Sequence, residues 1–361
     1  MQNKLYSLLL LLFFSVVPVL AQTDVVDDED NDTTLVADSA WVDSLIHRND
    51  TLAWPKNVQA EIEQLLRSEM FKTSQVGIMI YDLDADSAIF KHNERQLMRP
   101  ASTMKTITAI TALDRLGGSY QFKTELCYTG KVDSTSLNGD VYCVGGFDPR
   151  FNRDDMQAFA EALRKMGVDT IRGNLYADCS MKDTDRLGEG WCWDDDNPVL
   201  SPLVFQRKDI FMDKFLEAIH RAGITVLGNV SEKRKPHDAN CIVSRFHTID
   251  QILMRMLKQS DNLYAESMYY QIAASTGNRP ATAKDAKDIE RQLITRLGLN
   301  ASRYRLADGS GLSLYNYVSP ELEVKLLRYA FENQNIYNHL LPALPIAGVD
   351  GTLKKRMRSQ F

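Results

Sequence analysis

One apolar segment with a serine and a lysine at its start constrains the fold of this chain most strongly. Between Ser102 and Leu116 apolar residues recur at helical spacing, and Gly117-Gly118 ends the run, so the sequence predicts a helix with a buried face. The apolar positions are Ala109, Ala112, Leu113 and Leu116. Ser102 and Lys105 are three positions apart and should share one face of the first turn. We therefore expect a buried helix that carries a serine–lysine pair in its first turn.

This pair has the composition of an activated nucleophile. A serine hydroxyl attacks poorly until a neighbouring base removes its proton, and a lysine is such a base only when it is neutral. Burial and the positive end of the helix dipole both disfavour the ammonium form. No other serine in the sequence has a lysine three residues later. The alternative is a chance pair without a catalytic role, since a chain of this size holds about one such pair by chance.

The N-terminal region indicates export. Residues 1–21 combine Lys4, an apolar run from Leu8 to Leu20 and a Val-Leu-Ala ending, which is typical of a cleaved signal peptide. Residues 22–51 follow as an acidic flexible linker. We expect an exported protein of the periplasm or cell envelope. We also expect no transmembrane span after signal cleavage, because the run is shorter than the roughly 18 residues of a spanning helix.

The composition excludes several classes of protein. The 361 residues are 44% hydrophobic and 25% charged, with a formal net charge of -6, which favours a globular chain long enough for two domains and no nucleic-acid partner. The six histidines show no metal-ligand spacing, and no glycine-rich phosphate loop is visible. We therefore expect no cofactor and no metal.

Export also permits disulfide bonds. The five cysteines are Cys127, Cys143, Cys179, Cys192 and Cys241, so at least one is free. Cys127 and Cys143 lie in two short strand-like runs, and pairing of these runs as a hairpin would bring the two thiols together. The sequence leaves open whether they form a disulfide or remain buried thiols.

The order of predicted elements divides the folded part of the chain. A helix over 57–70 and strands over 75–82 and 87–92 precede the Ser102 helix. Short strands with turn residues follow Gly118, and helices return near residue 245. We expect one domain of residues 52–117 and 245–361, interrupted by an inserted domain of residues 118–244. Trp191 and Trp193 of the insert are predicted to be packing residues rather than a stacking platform.

Ser260 and Asn262 lie where two predicted helices meet. The apolar face over residues 249–257 ends just before them, and another helix follows, so both side chains can project into a cleft. The alternative is an ordinary cap, since Ser, Asp and Asn are favoured at helix starts. The same spacing recurs at Ser136 and Asn138, in the hairpin region, where we give it no role.

Five segments together resemble one enzyme family. They are residues 100–113, 145–149, 260–266, 308–313 and 344–353. Ser-x-x-Lys with Ser-Asp-Asn is typical of penicillin-binding proteins and class A β-lactamases. Most of residues 55–361 is similar to the class C low-molecular-mass penicillin-binding proteins, the D-alanyl-D-alanine carboxypeptidase/endopeptidases of peptidoglycan.

This resemblance implies an α/β fold, with a serine β-lactamase/transpeptidase-like domain of a sheet plus a helical lobe, interrupted by one inserted α+β domain. It implies a serine-type carboxypeptidase/endopeptidase that cleaves peptidoglycan stem peptides through an acyl-enzyme and that β-lactam antibiotics inhibit covalently. By motif match, Ser102 is the acylated nucleophile and Lys105 its base. Ser260 relays a proton to the leaving amine, and Asn262 hydrogen-bonds the substrate amide and orients Lys105.

The sequence departs from the family in two respects and leaves two alternatives. Ser102 and Ser260 are 158 positions apart, which is closer than in larger family members with two inserted domains, so we expect one insert. The third family motif, Lys-Thr-Gly, does not occur, so the expectation is a chain truncated before it, without the C-terminal strands and inactive as it stands. A β-lactamase would form the same acyl-enzyme and differ in how fast water removes it. A non-catalytic cell-wall-binding remnant is the alternative from another functional class.

Overall fold

The computed structural model describes residues 52–194 and 196–357. The predicted signal peptide and acidic linker, residues 1–51, lie outside the described residues. The described residues divide into two compact units, one of residues 52–96 and 319–324 and the other of residues 97–318 and 325–357. No helix in the described part is long and apolar enough to cross a bilayer.

The first unit contains two helices and a two-stranded antiparallel sheet. Helices α1 (Lys56–Leu66) and α2 (Glu69–Thr73) precede strands β1 (Ile78–Asp82) and β2 (Ser87–His92), which pair with each other. The single helix predicted over 57–70 is wrong in detail, because Ser68 adopts an extended conformation and separates the two helices.

The strands of the second unit form two sheets. They are β3 (Gln121–Tyr128), β4 (Lys131–Asp133), β5 (Ser136–Asn138), β6 (Val141–Val144), β7 (Thr170–Ile171), β8 (Leu175–Asp178), β9 (Thr225–Val226), β10 (Val230–Glu232) and β11 (Asn240–Thr248). One sheet has the order β10-β8-β6-β3-β11 and the other the order β4-β5-β7-β9. Both sheets are mixed, because each contains parallel and antiparallel pairs. All these strands lie within residues 121–248, and the predicted insert boundaries, 118–244, stay a prediction.

The described chain also contains eight further α-helices. They are α3 (Met104–Leu116), α4 (Arg153–Lys165), α5 (Phe211–Arg221), α6 (Ile249–Lys258), α7 (Asn262–Ala274), α8 (Ala283–Arg296), α9 (Pro320–Glu332) and α10 (Gln334–Ala343). Helices α4 and α5 share one hydrophobic core with the two sheets. Helix α7 contacts α3, α6 and α8, and each of its residues from Leu263 to Ala274 is buried. The buried helix predicted after Ser102 is confirmed as α3.

The possible disulfide between Cys127 and Cys143 is not formed. Strands β3 and β6 do pair antiparallel, as the hairpin prediction requires, but Cys127 lies opposite Tyr142, and Cys143 lies opposite Leu126. Successive residues of a strand point to opposite faces of the sheet, so the two thiols lie on different faces. Cys127 is instead bonded to Cys241, its direct neighbour on β11, and Cys143 is a buried free thiol.

Trp191 and Trp193 have different environments. Trp191 is buried, as predicted, whereas Trp193 is 84% exposed. The packing role predicted for Trp193 is therefore wrong. The chain turns at residues 193 and 194, so Trp193 does not meet the surface that buries Trp191.

Candidate active site

The chain turns sharply where it enters helix α3. Ala101–Thr103 form a 3-10 turn ahead of the helix, and Ala101 has a φ of +47°. The side chain of Ser102 lies on this turn and is exposed. Gly311 packs against the same turn with a φ of +81°, and a Cβ at this position would lie 1.7 Å from the Ala101 carbonyl oxygen. Only glycine allows the 308–311 loop to approach the turn so closely.

Lys105 lies one turn further along and is buried, with 1% of its surface exposed. Its Nζ is 3.1 Å from Ser102 Oγ, 2.7 Å from Asn262 Oδ1 and 2.8 Å from the Ser310 carbonyl oxygen. The structure thus brings three of the four predicted site residues together around one nitrogen. The Ser310 carbonyl completes this contact set.

The chemistry of these three contacts differs. An ammonium group donates three hydrogen bonds, whereas a neutral amine donates two and accepts one. Asn262 Oδ1 and the Ser310 carbonyl oxygen can only accept, and only Ser102 carries a hydroxyl that can donate. When Lys105 is neutral, its lone pair therefore points at the Ser102 hydroxyl proton. The arrangement can deprotonate Ser102.

The segment from Ser260 to Asn262 joins helices α6 and α7. Ser260 is half-buried with a φ of +55°, and its side chain makes no hydrogen bond within residues 52–194 and 196–357. Asp261 is the cap of α7, so the cap alternative applies to this residue and leaves Asn262 free to contact Lys105. The Asp261 carboxylate pairs with Arg207 and, at 2.7 Å, with Arg255. These pairs hold the segment between two arginines from different parts of the chain.

A buried aspartate organises the loop that contains Ser310. Asp308 Oδ1 accepts hydrogen bonds from the Gly311 N–H at 2.8 Å and from the Asn316 side chain at 2.7 Å. Its Oδ2 accepts from the Ser313 N–H and from Trp191 Nε1, both at 2.7 Å. Four donors around one carboxylate fix the loop in a single conformation.

A second buried carboxyl group lies on the other side of this loop. Glu266 on α7 is 1% exposed. Its Oε1 accepts hydrogen bonds from the Gly309 N–H at 3.1 Å and the Ser310 N–H at 2.8 Å. The backbone of Ser310 therefore connects Glu266 to Lys105.

Burial shifts the pKa values of Lys105 and Glu266 in opposite directions. It lowers the pKa of Lys105 from 10.5 to about 8, although Glu266, Asp308 and Asp261 favour its ammonium form. It raises the pKa of Glu266 to about 8, with Asp308 acting in the same direction and the hydrogen bonds from Ser310 and the charge of Lys105 opposing it. Lys105 is thus neutral far more often than an exposed lysine.

Sequence reasoning missed several of these residues. Asp308 and Ser310 lie in one of the segments that resemble the family but had no predicted role, and the contact of Ser310 is made by a backbone carbonyl, which no residue type reveals. Glu266 follows Asn262 by four residues, so it lies on the same face of α7. That spacing was the only sequence feature that could have predicted a role for Glu266. Arg207 is far from the motifs in sequence, and no such feature pointed to it.

The chain is similar to proteins of one known family. The profile of the family described as "D-Ala-D-Ala carboxypeptidase 3 (S13)" matches residues 58–204 and 197–361. The D-alanyl-D-alanine carboxypeptidase DacB of Haemophilus influenzae is 24% identical over 374 residues, covering 81% of this chain and 78% of that protein. The D-alanyl-D-alanine carboxypeptidase of an Actinomadura species is 24% identical over 398 residues, covering 83% of this chain and 73% of that protein.

Solved structures are similar as well. The crystal structure of penicillin binding protein 4 (dacB) from Haemophilus influenzae matches with a TM-score of 0.72 at 23% identity, covering 78% of this chain and 80% of that chain. A structure of the same protein complexed with a novel β-lactam matches with a TM-score of 0.67 at 25% identity, covering 79% and 80%. These matches confirm the predicted transpeptidase-like fold class.

Proposed function

The chain belongs to the D-Ala-D-Ala carboxypeptidase 3 (S13) family, and on this premise we propose that it is a serine-type D-alanyl-D-alanine carboxypeptidase/endopeptidase with Ser102 as its nucleophile. The observation that carries the assignment of residues is the contact set of Lys105. Two of its three partners can only accept hydrogen bonds, and the third is the Ser102 hydroxyl. A neutral Lys105 therefore has one proton to take, and it is the proton of Ser102.

Acylation follows from this geometry. Ser102 Oγ attacks the carbonyl carbon of the D-Ala-D-Ala bond while Lys105 Nζ accepts the hydroxyl proton. The Oγ–C bond forms, the C–N bond breaks, and the departing D-alanine amine receives the proton. By motif match Ser260 relays this proton; it is half-buried and lies two residues before Asn262. Water then hydrolyses the acyl-enzyme and releases the shortened peptide.

Asn262 has two roles in this proposal. Its Oδ1 accepts from Lys105 at 2.7 Å and so keeps one lysine hydrogen away from Ser102. Its amide nitrogen, on the other end of the same group, can donate to the backbone of a bound peptide. The side chain thereby orients the base and the substrate with respect to each other.

The substrate, inhibitors and location extend the same proposal. The relatives named above are D-alanyl-D-alanine carboxypeptidases, which supports the D-Ala-D-Ala end of peptidoglycan stem peptides as the substrate. A β-lactam complex of a structural relative supports β-lactams as covalent inhibitors. The signal-like N-terminal sequence supports export to the periplasm or cell envelope, where peptidoglycan lies.

Release of D-alanine tests this function. The purified full-length protein is incubated with a stem pentapeptide ending in D-Ala-D-Ala, and free D-alanine is measured over time. Ser102→Ala should abolish release, and Ser260→Ala should lower it by about 100-fold or more. Ser136→Ala is the matched control, because Ser136 shares the Ser-x-Asn spacing but lies on strand β5, and it should leave release unchanged.

The outcomes separate the alternatives. Rapid turnover of penicillin without D-alanine release would identify a β-lactamase. A wild-type protein that binds isolated peptidoglycan but shows neither penicillin turnover nor D-alanine release would be a non-catalytic wall-binding protein. Release that persists in Ser102→Ala would contradict the assigned nucleophile.

A further inference from the structure

Glu266 is a fully buried ionisable group that the acylation steps above do not use. We propose that Glu266 is a positioning residue for Lys105, which fixes the Ser310 carbonyl through the loop backbone and controls through its own charge how readily Lys105 becomes neutral. The inference rests on the proposed function, because acylation at Ser102 is its readout. Glu266 does not touch the reacting atoms and acts on them through Ser310 and Lys105.

One face of helix α7 reaches Lys105 by two routes. Asn262 and Glu266 are four residues apart and lie above one another on the helix. Asn262 accepts directly from Lys105 Nζ at 2.7 Å. Glu266 Oε1 accepts from the Ser310 N–H at 2.8 Å, and the carbonyl of the same residue accepts from Lys105 at 2.8 Å. A rigid helix thus sets both acceptors of the lysine.

The loop between Glu266 and Lys105 has little freedom to move. Glu266 Oε1 binds two consecutive N–H groups, those of Gly309 and Ser310. The Gly309 carbonyl accepts from Thr108 Oγ1 on α3 at 2.7 Å. A Cβ at Gly309 would lie 2.6 Å from Cβ of Tyr269, so the backbone rests directly on α7. Loss of the Glu266 acceptor would leave two buried N–H groups unsatisfied and release the Ser310 carbonyl.

The electrostatic link runs through the same contacts. The titratable groups that face Glu266 come from α3, α7, α8 and the loop, and they are Lys105, Tyr269, Tyr270, Glu290 and Asp308. Among them Lys105 is the only cation. Burial raises the pKa of Glu266 and lowers that of Lys105, and the charge of each group acts on the pKa of the other. A negative Glu266 keeps Lys105 protonated, and a neutral group at this position would let it lose its proton at lower pH.

Glu266→Gln tests this link, because the amide oxygen keeps the acceptor and removes the charge. The measurement is the rate of acylation by a fluorescent penicillin between pH 5 and 10, together with thermal unfolding. In the wild-type protein the rate should rise with pH through about pH 8, as Lys105 becomes neutral. In Glu266→Gln the rise should move to lower pH by on the order of one unit. The melting temperature should stay within a few degrees.

Two further variants separate charge from position. Glu266→Asp keeps the charge on a shorter side chain. Its acylation rate should therefore rise over the same pH range as in the wild-type protein, while the maximal rate falls about tenfold or more. Glu290→Gln is the matched control. Glu290 is a buried glutamate on α8 whose two oxygens have no partner within the described residues, and burial raises its pKa well above the ordinary value. The acidic groups that act on Lys105 are Glu266, Asp308 and Asp261, and Glu290 is not among them, so its variant should leave the profile unchanged.

Each other outcome overturns the inference. An unmoved profile in Glu266→Gln, with or without lower stability, would mean that Glu266 only supports the fold. Failure of this variant to fold would contradict the claim that an acceptor alone holds the loop. An equal shift in Glu290→Gln would assign the effect to the general charge of the core. If the wild-type protein is not acylated at any pH, the proposed function itself fails, which distinguishes that failure from failure of this inference.

Discussion

Burial and the nearby acidic groups act on the pKa of Lys105 in opposite directions. Burial removes the ammonium from water and favours the neutral amine, whereas the charges of Glu266, Asp308 and Asp261 favour the ammonium. Burial is the larger effect, and the pKa falls to about 8. At pH 7 about one tenth of the molecules then hold a neutral Lys105, against about one in three thousand for an exposed lysine. This difference is sufficient for a working base.

Lys105→Arg tests the need for a neutral group at the residue scale. Arginine remains protonated and cannot accept the serine proton, so the rate of acylation by penicillin should fall by about 100- to 10,000-fold. Labelling with fluorescent penicillin and thermal unfolding are measured together. Lys182→Arg is the control, because Lys182 is equally buried and pairs with Asp183. It should be acylated normally, and a normal rate in Lys105→Arg would require another base.

At the scale of single elements, the 308–311 loop depends on one glycine. Gly311 combines a φ of +81° with a Cβ position 1.7 Å from the Ala101 carbonyl oxygen. Gly311→Ala should therefore force the loop away from the turn that carries Ser102. We expect a loss of roughly 2 kcal/mol or more in the free energy of unfolding and a large loss of penicillin labelling.

Gly167→Ala separates backbone strain from collision. Gly167 has nearly the same φ, +82°, but nothing lies within 4 Å of its added Cβ. This variant should cost only about 1 kcal/mol, as measured by urea unfolding, and keep normal labelling. Equal effects of the two variants would show that the contact between Gly311 and Ala101 does not matter.

Local patterns predicted the elements better than their ends. The apolar spacing after Ser102 predicted helix α3, and the polar break before Asn262 predicted the junction of α6 and α7; both are present. The predicted helix began at Ser102, whereas α3 begins at Met104 after the 3-10 turn Ala101–Thr103. Gly311 packs against this turn. Such contacts join segments that are distant in sequence, and a local pattern does not contain them.

At the scale of the whole molecule, the disulfide joins positions 114 residues apart. It connects Cys127 on β3 with Cys241 on β11, so the segment between them, which includes most strands of both sheets, is closed into a loop. Closing a loop of this length reduces the entropy of the unfolded chain and stabilises the fold by about 2–4 kcal/mol.

Replacement of both cysteines tests this contribution. Cys127→Ala with Cys241→Ala should lower the free energy of unfolding by about 2–4 kcal/mol under oxidising conditions. A reductant should destabilise the wild-type protein and leave the double variant unaffected. Cys192→Ser changes an exposed free cysteine and should have no effect. No difference between wild type and double variant would mean that the bond does not constrain the unfolded chain.

Long-range pairing marks the limit of what the sequence could predict. The hairpin of β3 and β6 followed from two neighbouring strand-like runs, but the facing of Cys127 depends on register, and a shift of one residue reverses it. The other strand that pairs with β3 is β11, the last strand in the sequence. In the site the motif residues were predicted, whereas Glu266, Asp308 and the Ser310 carbonyl needed three-dimensional contacts.

The central claim is that Lys105 activates Ser102 for acyl transfer, and mass mapping of the acylated residue tests it most directly. The full-length protein is exposed to penicillin, digested and analysed for the peptide that carries the added mass. We predict that the adduct lies on Ser102 alone and that Lys105→Arg lacks it at the same exposure. An adduct on another serine, or an undiminished adduct on Ser102 in Lys105→Arg, would contradict the claim.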